Sequence, residues 1–188
     1  MPEHKNENKS GNKTISSATT SGIGPIVSSS HLADGAMPAM SEMEYALNVV
    51  SNAYFRWTVR CMNAAGLAGL TQLEVQVLHS TNHREREKTL GDLCMMLNIE
   101  DTHLVSYAIK KLTGLKLVSG GKRGKEKTVL ITEKGTQACE RYKEVREALL
   151  ISSVQAMGVE EEDLSKVAGL LRALSGQYDQ AARGAASL

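Results

Sequence analysis

Between residues 70 and 132 the chain is cut into short pieces by helix-start signals, and no long element fits between them. Thr71 with Glu74 stands at capping-box spacing, and Thr89 is a second cap with Asp92 three residues on. In such a box the cap hydroxyl accepts from the N3 amide while the N3 side chain accepts from the cap amide, so two orphan donors of a helix start are satisfied. Leu70 and Val75 occupy the N′ and N4 places of a hydrophobic staple around the first box. Leu73, Val77 and Leu78 continue that helix, which fades in the polar run 80–88. Thr89 opens a short helix carrying Leu90, Leu93, Cys94 and Leu97, and Leu97-Asn98-Ile99-Glu100 reads as a tight turn. Asp101 or Thr102 caps the next helix, whose Leu104, Val105, Ala108, Ile109 and Leu112 recur at helical spacing until Gly114 closes it. A hairpin follows. Leu115, Leu117 and Val118 make a short strand, residues 119–127 a glycine- and lysine-rich loop, and Thr128-Val129-Leu130-Ile131 a β-branched return strand.

The flanks are helical. Ser41 and Glu44 have the spacing of another capping box, and Ala46, Leu47, Val50, Tyr54, Trp57 and Cys61 then form one apolar face, ended by Gly66 and Gly69. Thr132 caps a long helix with Ala138, Tyr142, Val145, Leu149 and Val154 inside, broken by Gly158. Glu160 to Asp163 place negative charge at the start of a last helix, where its dipole favours it, and Leu164, Val167, Leu170, Leu171, Leu174 and Tyr178 form its stripe. Residues 1–22, rich in Asn, Lys, Ser, Thr and Gly, offer almost nothing to bury and read as a disordered tail. Residues 23–40 read as an extended arm, 41–66 as a first helix, 67–132 as a winged helix-turn-helix, and 133–188 as C-terminal helices. The fold class expected is mainly α, with a small β-hairpin wing.

Composition agrees with packed helices. Aromatics are only 4% of the 188 residues, so the core must be aliphatic. The three cysteines are widely spaced and contain no CxxC pair, which argues against a disulfide framework or an ordinary structural zinc site. His79 and His83 stand four apart but lack a third ligand nearby, so no metal and no cofactor are expected. No Gly-rich phosphate loop, HExxH or GxSxG is present, and an enzyme is not expected. The opening residues lack the apolar run of a signal peptide, and no run approaches the roughly 20 residues of a membrane span, so the reading is a soluble cytoplasmic protein.

Two short helices joined by a tight turn and followed by a basic hairpin suit duplex DNA, whose major groove admits one α-helix. Thr102, His103, Ser106, Tyr107, Lys110 and Lys111 are the candidate contacts on the second helix, and Lys122, Arg123, Lys125 and Lys127 those on the hairpin. Net charge is only +1, yet residues 81–127 hold ten Lys and Arg against six Asp and Glu, a local cationic excess.

Leu70-Thr71-Gln72-Leu73-Glu74-Val75, Thr89-Leu90-Gly91-Asp92-Leu93, Lys110-Lys111-Leu112 and Leu130-Ile131-Thr132-Glu133-Lys134-Gly135 together resemble the MarR family of transcriptional regulators, over about residues 41–183. The resemblance implies a homodimer interlocked through its first and last two helices, recognition helices aimed at successive major grooves, and release by a small aromatic effector or by cysteine oxidation. The chain departs from the family at the hairpin. Where an Asp-x-Arg motif is usual it has Arg123-Gly124-Lys125, and Tyr107 stands where Arg is common. Lys lacks the planar fork of Arg, so phosphate contact is expected to outweigh minor-groove readout.

Tyr54, Trp57, Arg60, His79 and His83 are the candidate effector-pocket residues, against plain core and dimer packing. Cys61, beside Arg60, is the candidate redox residue, against inert packing. A winged helix used as a protein-interaction module, or a redox-sensing regulator, are the alternative readings; the local positive charge argues against the first.

Overall fold

The structure, a computed structural model, describes residues 24–188. They fall into two units, one ending at Asn52 and one running from Ala53 to Leu188. The expected tail, residues 1–22, lies outside the described residues.

In the first unit the segment expected to be an extended arm is partly helical. A 3-10 turn covers Ser30–Ala33, and helix α1 (Pro38–Ala64) starts three residues before Ser41. Ser41 is therefore no cap: its hydroxyl donates to the Leu32 carbonyl at 2.7 Å and ties the 3-10 turn to the helix. Tyr45, Val49 and Val50 are exposed along this half of α1.

The second unit holds the rest of α1 and everything that follows. Helix α2 (Gln72–Asn82) begins with the complete Thr71/Glu74 box, and the staple residues Leu70 and Val75 are both buried. Helix α3 (Leu90–Leu97) begins with the complete Thr89/Asp92 box and ends at Asn98 in the left-handed region. Asp101, not Thr102, caps α4 (Thr102–Gly114), accepting from the His103 amide at 2.9 Å. Leu78, Leu93, Val105, Leu112 and Leu117 close the core beneath these helices with essentially no exposure.

The wing is longer in strand and shorter in loop than its composition suggests. Strands β2 (Val118–Arg123) and β3 (Glu126–Ile131) pair antiparallel from Val118↔Ile131 to Arg123↔Glu126. Only Gly124 and Lys125 form the turn, and Gly124 alone of the two has positive φ, at 66°. That is the pattern of a type II′ turn, whose twist matches the flanking strands. Strand β1 (Lys88–Thr89) pairs with the other edge of β3, Lys88↔Val129 and Thr89↔Thr128, giving the order β1-β3-β2. Nothing in the polar run 80–88 signals it.

Lys88 explains why that strand is held. Its side chain is 1% exposed, and its ammonium donates to the carbonyls of Thr81 at 3.2 Å, His83 at 2.6 Å and Arg86 at 2.8 Å. Three donors meet three acceptors, so a buried cation is satisfied by main-chain oxygen alone. It closes the α2 C-terminus, where positive charge is favoured, and the kinked 3-10 turn His83–Glu85, in which Arg84 has φ 59°. Burial and the neighbouring Arg86 push the Lys88 ammonium below its ordinary value, with Asp92 opposing.

After the wing the Thr132 hydroxyl caps α5 (Glu133–Arg146), accepting from Gly135 at 3.1 Å, and it also donates to the Lys116 carbonyl at 2.8 Å. Gly135 has no room for a side chain: a Cβ there would strike the Leu117 carbonyl and the Ile131 side chain. A π-helical turn, Glu147–Ile151, links α5 to the short α6 (Ser152–Ala156). Leu149, expected inside, is 59% exposed on this turn. Gly158, with φ 72°, makes the break, and α7 (Glu161–Ala185) follows. Its Leu164, Val167, Leu170 and Leu171 are exposed, while Asn98 reaches Ser175 and Asp179 at 3.4 Å.

Replacing Lys88 with Met leaves three carbonyls without their cation and is expected to cost about 3 kcal/mol of unfolding free energy, read by urea denaturation. A loss below about 0.5 kcal/mol would contradict this role for the ammonium.

Candidate nucleic-acid interface

Helix α4 presents Thr102, His103, Ser106, Tyr107 and Lys110 on one exposed face, while Val105, Ala108 and Leu112 are buried on the other. Tyr107 has 70% of its area open. Lys111 does not share this face in practice. Its ammonium donates to the Gly69 carbonyl at 2.7 Å and to Glu74 at 2.8 Å, so it clamps α4 to the start of α2. Glu74 thus serves Lys111 and its own capping box. Burial alone would raise its pKa, but the Lys111 and Thr71 hydrogen bonds together bring it below the ordinary carboxylate value.

The wing divides its cations between two faces. Residues directly opposite in an antiparallel ladder share a face, and neighbours along a strand alternate. Lys122 faces Lys127, on the same side as Gly120 and Val129. Arg123 faces Glu126 on the other side, and the two approach to 3.5 Å. Arg123 also lies close enough to Asp92 to help lower its pKa, behind the larger effect of the Thr89 hydrogen bonds. Lys125 occupies the turn itself. The side carrying Lys122 and Lys127 is the one turned toward α4, because both line a hollow with Ser106 and Ile109. Two ammonium groups directly opposite repel each other, which weakens a free hairpin.

A second hollow, about 490 Å³, lies among α1, α2 and α5 within the second unit. Tyr54, Trp57 and His79 line it as the sequence suggested, but Arg60 and His83 do not; both are exposed elsewhere. Arg146, Tyr142 and Gln76 take their place. Tyr142 and Arg146 stand one helical turn apart, a spacing that placed Tyr142 in the core stripe and gave no hint of its polar neighbour. The His79 ring meets Tyr142 edge-on at 4.5 Å, and its Nε2 is buried with no hydrogen-bond partner. Burial lowers the His79 pKa, so the ring is neutral at pH 7, and burial raises that of Tyr142 to about 12.

Cys61 does not have the setting of a redox sensor. It is buried, its thiol donates to the Tyr142 carbonyl at 3.5 Å, and desolvation raises its pKa, whereas a sensor needs access and a stabilised thiolate. Cys139 is also buried and pushed up to about 12. No cluster of three metal-ligating side chains occurs among the described residues, and none of their helices is long and apolar enough to cross a membrane.

Residues 70–135 match the model of a winged helix DNA-binding domain, and this stretch takes in α2, α3, α4 and the whole wing. The fold is that of the MarR-family regulators. A MarR-family transcriptional regulator from Rhodococcus sp. RHA1 superposes with TM-score 0.59 at 13% identity, over 72% of this chain and 93% of that one. MarR of Staphylococcus aureus, in complex with salicylate and kanamycin, gives 0.59 at 13% identity over 79% and 97%. MepR of the same organism, in complex with DNA, gives 0.55 at 15% identity over 71% and 95%. No curated protein matches the sequence. Identities this low establish the MarR architecture and not a shared ligand or operator.

Proposed function

We propose that this chain is a sequence-specific regulator of transcription that binds duplex DNA as a homodimer and lets go when a small aromatic effector binds. The observation that carries the reading is the Lys122–Lys127 pair, two like charges facing each other on the side of the wing that borders the exposed face of α4. A nucleic-acid phosphate neutralises that repulsion, while Thr102, His103, Ser106, Tyr107 and Lys110 meet the adjoining major groove. Lys125 at the turn supplies a further cation, and Arg123 is partly engaged by Glu126. Lys111 is assigned to the scaffold.

The apolar residues left open on α7 (Leu164, Val167, Leu170 and Leu171) and on the first half of α1 (Tyr45, Val49 and Val50) support association with a second copy. The hollow lined by Trp57, His79, Tyr142 and Arg146 supports the effector: aromatic walls, one cation at the edge and an unpaired ring nitrogen suit a flat molecule bearing a carboxylate. Salicylate, present in the S. aureus MarR complex, is the natural first probe.

Changing Lys122 and Lys127 to Glu is expected to weaken binding to duplex DNA by about tenfold or more per lysine. Neutral Gln at either site should lower the salt slope by about one unit, while Lys111→Gln leaves that slope unchanged. Affinity without a salt slope in the native chain would instead indicate a protein-interaction module. Val167→Glu with Leu170→Glu should convert a sedimenting dimer to monomer; a native chain that sediments as monomer removes the dimer. Salicylate should change Trp57 emission and release DNA in the native protein but do neither in Arg146→Gln; an unmoved emission at saturating salicylate counts against that effector class.

A further inference from the structure

The hollow beneath the wing is separate from the one around Trp57. It encloses about 420 Å³, within the usual size range of small-molecule sites. Leu90, Ile109 and Val129 make its walls, and no aromatic side chain lines it. One of its lining residues has no side chain. Gly120 points toward this hollow in the alternation shared with Lys122, Lys127 and Val129, and a Cβ on Gly120 would meet nothing within 4 Å. Gly120 has no positive φ that would require glycine, so backbone conformation does not explain its presence. Lys122 and Lys127, directly opposite each other in the ladder, also line it, with Ser106 on the α4 side. An aliphatic hollow lined by two lysines is complementary to an apolar tail carrying one anionic head.

We propose that this cleft binds a medium-chain monocarboxylate, its alkyl tail against Leu90, Ile109 and Val129 and its carboxylate between Lys122 and Lys127. Occupancy neutralises the same two lysines that the DNA reading assigns to phosphate, so the ligand competes with DNA directly; this consequence, unlike the site itself, rests on that reading. The mechanism differs from release through the Trp57 hollow, because no change of shape has to travel between two places.

The test uses sodium octanoate with the full chain, and reads binding by thermal shift and ligand-observed NMR in the absence of DNA. Octanoate should bind with Kd on the order of millimolar, as befits so small a ligand. At ten times that concentration it should raise Tm by about 3 °C. Octanol should bind about tenfold more weakly, and Trp57 emission should stay constant throughout. Gly120→Val fills the cleft with a side chain suited to a strand, and Gly120→Leu is the second filled variant. Each should bind octanoate at least about tenfold more weakly and hold DNA as the native chain does, with octanoate no longer releasing it. Equal octanoate affinity in a filled variant of native Tm, or Trp57 emission that tracks saturation, overturns the site. So does a loss of DNA affinity in both filled variants without ligand, which would make the cleft a seat for the DNA backbone. Octanoate binding that Gly120→Val abolishes, in a chain with no affinity for DNA, supports the site and defeats the DNA reading instead.

Discussion

The position of the wing depends on one buried cation. Lys88 gathers three main-chain carbonyls from the end of α2 and the loop after it, and its own backbone pairs with Val129 in β3. Lys88 therefore joins the end of α2 to the strand that carries Lys127. Without it, the carbonyls of residues 81, 83 and 86 lose their shared donor. A charged group is an expensive way to fill an interior unless every proton finds an acceptor. Here every proton does, and the reward is a fixed distance between a helix terminus and a sheet.

Charge is placed with similar economy elsewhere. Glu74 faces inward to Thr71 and Lys111, so that acid and that base brace α2 against α4 and leave the outer face of α4 to Thr102, His103, Ser106, Tyr107 and Lys110. The wing does the reverse. It sets Lys122 against Lys127 without an acid between them and keeps its one acid, Glu126, for Arg123. The first arrangement stabilises the fold, while the second costs the hairpin stability.

What could be read from the residues was what depends on near neighbours. The boxes at Thr71 and Thr89 and the cap at Thr132 form within four residues, and their spacing announced them. The staple of Leu70 and Val75 was equally local. Strand β1 was not, because two residues in a polar run become a strand only through β3, some forty positions later. Ser41 misled for a related reason: its hydroxyl is drawn to Leu32 behind it, and the helix begins earlier. Glycine and lysine made the wing tip look like loop, although a two-residue turn suffices and the remaining residues pair. In the candidate site the sequence did not tell that Lys111 is tied to Gly69 and Glu74, nor which face each wing cation occupies, since those follow from helix packing and ladder register. Arg60 and His83 fell outside the hollow, and Arg146 entered it, because a helical wheel gives direction but not which neighbouring helix arrives.

The π-helical turn at Glu147–Ile151 re-indexes the helix that contains it. Each residue of an α-helix advances about 100° around the axis, and a five-residue hydrogen-bonded loop adds one residue to the circuit. The apolar phase set by Ala138, Tyr142 and Val145 therefore slips there: Leu149 turns outward, and Leu150, next in line, reaches the wall of the Trp57 hollow. Ordinary α-helical winding through that point would carry the segment beyond it around the axis by about a right angle. The extra residue thus acts as a phase shifter, setting Leu150 on the same hollow that Arg146 and Tyr142 line one and two turns earlier.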